Sequence, residues 1–257
     1  MDWAQPSPLD RTPDPLLPSE VHEVSGDGQV ALEPLADAQP TDTDVLIGAV
    51  DGIRWFARYS PEPMGPTVTF RELPDDVVAT ASALVRWHTE AVACERCNGA
   101  TQPWEGGQRR RCATCGHLMF FRTDPAVIVA ITDPDDRILL ARHVKWPQGR
   151  VSVIAGFVEV GESLEQACAR EANEEVALSL HSIRYFGSQP WPFPRSLMLG
   201  FTARTDHPEA VRPDGQEIAE ASFLTREELA SRIAEHSITL PGTASIGRAL
   251  IDSWLQG

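Results

Sequence analysis

Positive charge is scarce in this chain. It has 22 Lys and Arg residues against 37 Asp and Glu residues, which gives a formal net charge of −15. A chain this acidic repels polyphosphate backbones at long range, so we expect no sequence-independent binding to nucleic acid, DNA included, apart from any local basic surface. The same excess of negative charge argues against binding to an anionic membrane surface.

The sequence also lacks long hydrophobic runs. Its longest apolar stretches, such as Ala126–Ile131, fall far short of the roughly 20 residues that span a bilayer. The N-terminal residues include Asp2, Asp14 and several prolines, and they lack the basic start and apolar centre of a signal peptide. We therefore expect a cytoplasmic protein without a membrane partner.

Cysteine is sparse, and four of the five cysteines fall in two pairs. The pairs are Cys94-x-x-Cys97 and Cys112-x-x-Cys115, and the fifth cysteine, Cys168, stands alone. In a reducing cytoplasm this pairing predicts a metal site rather than disulfides. Soft thiolate ligands favour Zn²⁺, and four of them leave no open position for water. The sequence therefore predicts a structural zinc site.

Composition and motifs suggest three parts, namely an N-terminal region (residues 1–90), a zinc ribbon (91–123) and a catalytic domain (124–257). The first fifty residues hold ten acidic residues, seven prolines and only one basic residue, Arg11. Such a composition is typical of a loose arm, which we expect to cover part of the first 25–40 residues.

Periodicity and turn residues predict strands interleaved with helices, which gives an α/β or α+β fold. The runs Asp44–Val50 and Gly52–Tyr59, which meet at Asp51 and Gly52, predict a β-hairpin. Further strands are expected at Ala126–Ile131, Ile138–Ala141, Val151–Ile154, Ile183–Gly187, Leu197–Ala203 and Ala219–Phe223. Helices are expected at Asp75–Trp87, Ser163–Val176, Thr225–Ile233 and Ile246–Trp254. Two helices begin with capping-box pairs, Ser163 with Gln166 and Thr225 with Glu228.

The densest chemistry lies in the segment Gly156–Leu178. Glu171, Glu174 and Glu175 are spaced i, i+3 and i+4, which places them on one face of the predicted helix. Their mutual repulsion would be relieved by a hard divalent cation such as Mg²⁺ or Mn²⁺, which prefers oxygen ligands. Taken alone, such a helix is more often a solvated acidic face than a metal site.

The full pattern of this segment resembles the Nudix box, G-x5-E-x7-R-E-U-x-E-E-x-G-U, in which U is a bulky apolar residue. The matching positions are Gly156, Glu162, Arg170, Glu171, Glu174, Glu175 and Leu178. The resemblance implies a Nudix fold, a mixed sheet between helices, whose box forms a loop and helix that hold a catalytic divalent metal. It implies that Glu171, Glu174 and Glu175 are metal ligands, with Arg170 and Glu162 also in the catalytic site.

Two positions depart from the box. Ala172 is small where a bulky residue is expected, and Ala177 replaces the glycine at the end of the helix. Alanine in a left-handed cap costs on the order of 1 kcal/mol but removes no ligand. Family enzymes often use a further glutamate from outside the box. Glu217 is our candidate for this additional metal ligand, and Glu220 is the competitor.

A second motif, SQPWPFPRS at Ser188–Ser196, contains three prolines and two aromatic residues. Rigid backbone with flat rings beside polar groups suits a nicotinamide or adenine base, although the same rings could pack into a core. The string resembles the signature of the NADH pyrophosphatase (NudC-type) subfamily, which also has a zinc ribbon before its Nudix domain. That resemblance implies a set of NAD-binding residues. They are Ala155, Phe157, Gln189, Pro190, Trp191, Pro192, Phe193, Pro194, Arg195, Ser196 and Phe120.

The predicted ribbon is the one basic island in the chain. Between Cys94 and Thr123 there are five arginines and two glutamates, with Arg109, Arg110 and Arg111 in a row. This stretch is either a solvated surface loop or a guide for RNA that carries NAD at its 5′ end. Of the neighbouring Phe120 and Phe121, the resemblance favours one in the nucleotide pocket and leaves the other for the core.

These resemblances imply an enzyme that hydrolyses the pyrophosphate of NAD(H), or removes the NAD cap from RNA, and that acts as a homodimer. Two alternatives remain at this stage. One is a Nudix hydrolase for another substrate, such as ADP-ribose or a dinucleoside polyphosphate. The other is a zinc-ribbon regulator whose Nudix domain senses a nucleotide without catalysis, although such a protein would not need all three metal glutamates.

Overall fold

A computed structural model describes Ser7 and residues 9–257 of the chain, and its contacts divide them into two units. The N-terminal unit contains the described residues up to Thr123 together with Pro190–Arg195. The C-terminal unit contains Asp124–Gln189 and Ser196–Gly257. Across the part of the chain that is described, no helix is both long and apolar enough to cross a bilayer.

The N-terminal unit contains two sheets and one helix. Its larger sheet has the order β3-β4-β1-β2-β5, in which β1 and β4 are parallel and the other neighbours antiparallel. The bounds are β1 Ser19–Val24, β2 Val30–Ala31, β3 Val45–Val50, β4 Ile53–Tyr59, β5 Thr67–Val68 and α1 Asp76–Glu90. The smaller sheet, which we call the ribbon sheet, has the order β6-β7-β8, with β6 Thr101–Trp104, β7 Arg109–Cys112 and β8 Leu118–Phe120.

The predicted hairpin is confirmed by β3 and β4, which pair antiparallel across Asp51 and Gly52. Both turn residues have positive φ, 51° and 78°, as a two-residue hairpin turn of this handedness requires. By contrast, β1 and β2 lie within the stretch that the composition predicted to be partly loose. Burial of Val21 and Val24 on β1 holds this segment in the sheet despite its acidic surroundings.

The C-terminal unit is a six-stranded mixed sheet with helices on both faces. Its main order is β12-β13-β9-β10-β14, with β11 also paired to β9. Strand β13 is parallel to β9, whereas β10 and β11 are antiparallel to it. The strands are β9 Asp124–Thr132, β10 Ile138–His143, β11 Ile154–Phe157, β12 His181–Trp191, β13 Ser196–Arg204 and β14 Ile218–Leu224. The helices are α2 Leu164–Val176, α3 Arg226–Ala234 and α4 Ile246–Gln256.

Strand β9 supplies both faces of the core, which is why its sequence is a continuous apolar run. Val127, Val129 and Ile131 pack into the cluster that contains the buried side chains of α2. Ile128 and Ala130 point the other way, into the cluster that contains α3 and α4. The sheet is thereby held between helices, as the Nudix resemblance implied.

One strand prediction was wrong in its position. The run Val151–Ile154 was expected to be a strand, but β11 begins at Ile154 and continues to Phe157. Ser152 forms only an isolated bridge with Ala141. Glycine usually weakens a strand. Gly156 nevertheless lies inside β11, because the Glu171 side chain of α2 packs against its Cα.

Helix α2 ends with a residue in the conformation that glycine prefers. The two capping boxes predicted for α2 and α3 are both confirmed. At the C-terminal end of α2, Ala177 has φ 60° and ψ 27°, and its N–H donates to the carbonyl of Asn173. The left-handed cap expected from the sequence is therefore present, with alanine in the place of glycine.

We expect Ala177→Gly to raise the free energy of unfolding by about 1 kcal/mol, because glycine adopts this conformation without steric penalty. Urea unfolding would measure the change. Ala169→Gly, within the right-handed turns of the same helix, is the matched control and should lower the free energy by about 1 kcal/mol. A loss of stability in both variants would show that the left-handed alanine is not strained.

Candidate active site

The box segment places a loop and a helix against the edge of β11. Ser163 caps α2 by accepting a hydrogen bond from the N–H of Gln166, which fixes where the loop becomes helix. Ala167, Cys168, Ala172 and Val176 bury one stripe of the helix completely. Ala172, one of the two departures from the box, thus remains a core residue. With this stripe buried, the glutamates of α2 lie at the margin of the core and beyond it.

Arg170 joins the loop to the carboxylates of the helix. Its Nε donates to Glu162 Oε1 at 2.7 Å, and its Nη2 donates to Glu162 Oε2 at 3.0 Å and to the carbonyl of Phe157 at 2.8 Å. Its Nη1 donates to Glu171 Oε1 at 2.9 Å and to Glu174 Oε2 at 3.0 Å. These bonds hold the pKa of Glu162 below its ordinary value. Arg170 therefore braces the loop against α2 through Glu162.

Glu175 is the least compensated of the carboxylates. Its side chain is 6% exposed, and Oε2 has no hydrogen-bond partner among the described residues. Burial raises the pKa of Glu175 to about 8, and the negative charges of Glu171, Glu217 and Asp214 add to the shift. Burial also raises the pKa of Glu171, despite its bond to Arg170. A buried acceptor surrounded by like charges is suited to bind a cation.

Glycine is required at position 156 because the Glu171 carboxylate lies where a Cβ would be. We expect Gly156→Ala to displace this carboxylate, lowering the free energy of unfolding by about 1–3 kcal/mol and reducing hydrolysis. Gly187→Ala is the matched control, since a Cβ there would contact nothing within 4 Å. Thermal unfolding and turnover of both variants would test this, and an unchanged Gly156→Ala protein would contradict the packing.

The two glutamates considered outside the box have different surroundings. Glu217 lies just before β14, and its negative charge raises the pKa of both Glu171 and Glu175. Glu220 instead accepts a hydrogen bond from Arg142 Nη2 at 2.8 Å, which lowers its pKa. Asp214, which the sequence analysis missed, accepts hydrogen bonds from the backbone N–H groups of Glu217 and Ile218. No sequence motif indicates Asp214, because its charge comes near Glu175 only where the chain that leads into β14 returns towards α2.

The four paired cysteines form a cluster in the N-terminal unit. The Sγ atoms are 3.4 Å apart for Cys97 and Cys115, 3.5 Å for Cys97 and Cys112, and 3.8 Å for Cys94 and Cys115. Sulfurs at about 2.3 Å from a tetrahedral zinc ion would be about 3.8 Å apart, so this cluster could hold such an ion. Among described residues, it is the one group of three or more potential ligands whose donor atoms all lie within 4.8 Å. The glutamates of α2 are not gathered as closely.

The proline-rich motif divides into a buried part and a partly exposed part. Gln189, one of the expected nucleotide-binding residues, has a fully buried side chain. Its amide donates to the carbonyl of Ala244 at 2.5 Å and accepts from the N–H of Ile246 at 2.7 Å, so it anchors the start of α4. Ser196 is also buried, with 6% exposure.

Trp191 and Phe193 are partly buried against the core of the N-terminal unit. Trp191 contacts Phe70 and Phe193 edge to face. The guanidinium of Arg71 lies 4.7 Å from the Trp191 ring centroid and 4.4 Å from that of Phe193. Arg71 carried no signal in the sequence, since it is far along the chain from the motif.

The two candidate phenylalanines after Cys115 differ in their burial. Phe121 packs edge to face on Trp87 in the core, whereas Phe120 is 43% exposed. In the C-terminal unit, Phe157 is 57% exposed beside the box glycine. Both exposed rings were expected to contact nucleotide.

The three consecutive arginines do not form a surface loop, which corrects that interpretation. They lie in β7, where side chains alternate between the two faces of the sheet. Arg110 is 5% exposed and donates to the carbonyls of Thr101 and His88. Only Arg109 and Arg111 remain on the outer face.

A mixed sheet between helices, with a glycine-led loop and a glutamate-bearing helix held by one arginine, defines a hydrolase of the Nudix class. A family profile described as the NUDIX domain matches residues 122–241. NAD-capped RNA hydrolase NudC of Mycobacterium bovis is 41% identical over 243 residues, which cover 86% of this chain and 77% of that protein. The chain belongs to the Nudix hydrolase family, and within it to the NudC-type subfamily.

Two further proteins are similar to smaller parts of this chain. Human NAD-capped RNA hydrolase NUDT12 is 33% identical over 206 residues, which cover 76% of this chain and 44% of that protein. The crystal structure of a NUDIX hydrolase from Nitrosomonas europaea covers 53% of this chain and 78% of its own, with 25% identity and a TM-score of 0.46.

Proposed function

We propose that this enzyme hydrolyses the pyrophosphate bond of NAD(H) to NMN(H) and AMP, and that it removes the NAD cap from RNA. The observation that carries the proposal is the buried Glu175 carboxylate, whose Oε2 has no hydrogen-bond partner among the described residues and which carries its charge near Glu171, a partner of Arg170. Water adds across the phosphoanhydride bond, so capped RNA would yield NMN and RNA with a 5′-monophosphate. The similarity to two proteins named NAD-capped RNA hydrolases supports this substrate class.

Glu171, Glu174, Glu175 and Glu217 are the proposed ligands of a catalytic Mg²⁺ or Mn²⁺. Their support is the burial that raises the pKa of Glu171 and Glu175, to which the neighbouring negative charges add, together with the unpartnered Oε2 of Glu175. When bound, a hard divalent cation supplies charge stabilisation for the phosphates and acidifies a water molecule. Arg170 and Glu162 position the loop, and Glu220 is excluded from the proposed set because Arg142 holds it.

Cys94, Cys97, Cys112 and Cys115 are the proposed ligands of a structural Zn²⁺. Their spacing supports a tetrahedral thiolate site, and four thiolates would leave no position for a reacting water. Reduced thiolates of this kind persist in a reducing compartment, which supports a cytoplasmic location.

Two of the proposed NAD-binding residues, Phe157 and Phe120, have exposed rings. Phe157 offers a half-exposed face next to Gly156, where it can stack on the nicotinamide side of the substrate, and Ala155 precedes it on β11. Phe120 and Trp191 are proposed as further ring contacts in the N-terminal unit. The remaining residues of the motif are proposed to line the NAD site with Trp191, namely Gln189, Pro190, Pro192, Phe193, Pro194, Arg195 and Ser196. A homodimer is proposed by subfamily resemblance alone.

A substrate panel tests the assignment. We expect zinc-loaded protein supplied with Mg²⁺ or Mn²⁺ to release AMP from NADH, and 5′-monophosphate RNA from NAD-capped RNA, faster than it cleaves ADP-ribose or diadenosine polyphosphates. Faster cleavage of ADP-ribose or the polyphosphates would instead indicate another Nudix specificity. No cleavage of any substrate would favour a nucleotide-sensing regulator.

A further inference from the structure

The ribbon sheet has two chemically different faces. Arg110, Cys112 and Met119 point to one face and are buried. The opposite face, which we call the ribbon face, carries the alternate residues of all three strands. These are Gln102, Trp104, Arg109, Arg111, Leu118 and Phe120.

Strand register arranges the ribbon face as two rows. Trp104 lies opposite Arg109, which lies opposite Phe120; Gln102 lies opposite Arg111, which lies opposite Leu118. An arginine thus stands in the middle of each row, between aromatic, aliphatic or amide neighbours. A flat array of this kind presents ring faces and cations to the same side of one sheet.

Arginine and aromatic side chains on this face are stacked on each other. The Arg111 guanidinium is 4.7 Å from the Trp104 ring centroid, and that of Arg109 is 5.0 Å from the Phe120 centroid. Trp104 is 37% exposed and Phe120 43% exposed, so each ring remains accessible. A guanidinium held beside a ring in this way keeps N–H groups able to meet an anion.

The charge of this region is opposite to that of the chain. Residues 94–123 contain five arginines and two glutamates, whereas the whole chain has a net charge of −15. Arg109 has an ion-pair partner, Glu105, at 2.9 Å. Arg111, for its part, forms no ion pair with any residue that the structure describes. A local positive surface in an acidic protein selects a polyanion at this place and repels it elsewhere.

We propose that the ribbon face binds single-stranded RNA, namely the nucleotides that follow the cap of the substrate. The inference rests on the proposed activity on NAD-capped RNA and extends it beyond the proposed NAD contact at Phe120 to the neighbouring residues of the ribbon face. Bases would stack on Trp104, and Arg111 would contact the backbone phosphates. Such contacts tolerate any sequence, because every base has a stacking face.

Binding of a product RNA by the full-length, zinc-loaded chain gives the direct test. The probe is a fluorescent single-stranded RNA of about ten nucleotides with a 5′-monophosphate, followed by anisotropy. Trp104→Ala is expected to weaken binding about tenfold, and Trp104→Phe, which keeps a ring, to restore most of it. Arg111→Gln is expected to reduce the slope of log K against log salt by about 0.7, the value for one phosphate contact on a single strand.

Arg232→Gln is the matched control, because it removes one exposed arginine of the C-terminal unit. It should bind RNA as the wild type does. The proposal is overturned if the wild type does not bind the RNA, or if Trp104→Ala and Arg111→Gln bind it as tightly as Arg232→Gln. Unchanged zinc content would show that the variants keep the ribbon folded.

Kinetics separate this inference from the proposed function. Trp104→Ala and Arg111→Gln should raise KM for a long NAD-capped RNA about tenfold and leave NADH hydrolysis unchanged. If the wild type hydrolyses neither substrate but still binds RNA through Trp104, the proposed activity fails and the RNA surface stands. If NADH and capped RNA are cleaved alike by all variants, the RNA surface fails and the activity stands.

Discussion

Replacing Glu175 with glutamine should abolish hydrolysis and, at the same time, stabilise the protein free of catalytic metal at neutral to alkaline pH. We expect turnover of NADH to fall by roughly three orders of magnitude, because several kcal/mol of charge stabilisation depend on the carboxylates that hold the cation. An ordinary core substitution would lower both activity and stability. Lower turnover together with a higher free energy of unfolding is the result expected for a charge that is buried for function.

The pKa of Glu175 sets the sign of the effect on stability. The pKa is raised from an ordinary 4.5 to about 8 in the folded protein. Between these values the folded state keeps a proton that the unfolded state has released, so the free energy of unfolding falls as the pH rises. The loss is absent below about pH 4 and complete above about pH 8, and it amounts to on the order of 5 kcal/mol. Neutral glutamine removes it.

Urea unfolding of zinc-loaded protein in magnesium-free buffer, at about pH 5.5 and pH 8, measures this difference. The wild type should lose stability over that interval, and Glu175→Gln should lose much less. Glu165→Gln, an exposed position on the same helix, is the matched control and should behave as the wild type in both activity and stability. Equal pH dependence in the Glu175→Gln and wild-type proteins, or full turnover by Glu175→Gln, would contradict the role given to this carboxylate.

Local sequence patterns predicted the features that depend on near neighbours. The hairpin at Asp51 and Gly52, the capping boxes of α2 and α3, and the left-handed end of α2 at Ala177 are all confirmed. Each depends on backbone preferences within a few residues. The contact of Arg170 with Glu162 was also predictable, because Glu162 lies just before the helix that carries Arg170.

Features that depend on distant parts of the chain escaped prediction. Gln189 belongs to a motif that suggests nucleotide binding, yet its amide is satisfied by backbone groups 55 and 57 residues away. Three consecutive arginines predict a basic surface, but the sequence does not show which of them turns inward. The strand pairing shows that it is Arg110. A buried polar group must find its partners somewhere in the fold, and sequence alone does not identify them.

Loss of the metal from the cysteine cluster is expected to unfold the ribbon sheet. Its strands have three or four residues each, and few apolar side chains hold them together. A structural zinc site of this type contributes roughly 10–16 kcal/mol of binding free energy, far more than such short strands can supply. Without the cation, thiolates less than 4 Å apart would also repel one another.

Cys112→Ser should therefore bind less than a tenth of an equivalent of zinc, because it loses one of the four thiolates on which that binding free energy depends. Hydrogen exchange in Thr101–Phe120 should rise towards the rates of an unfolded peptide. Cys168→Ala is the matched control, since Cys168 is fully buried in α2 and is not one of the four clustered cysteines; it should keep one zinc and the same exchange in the ribbon sheet. Protected amides in β7 and β8 of zinc-free Cys112→Ser would show that hydrogen bonding alone sustains the sheet.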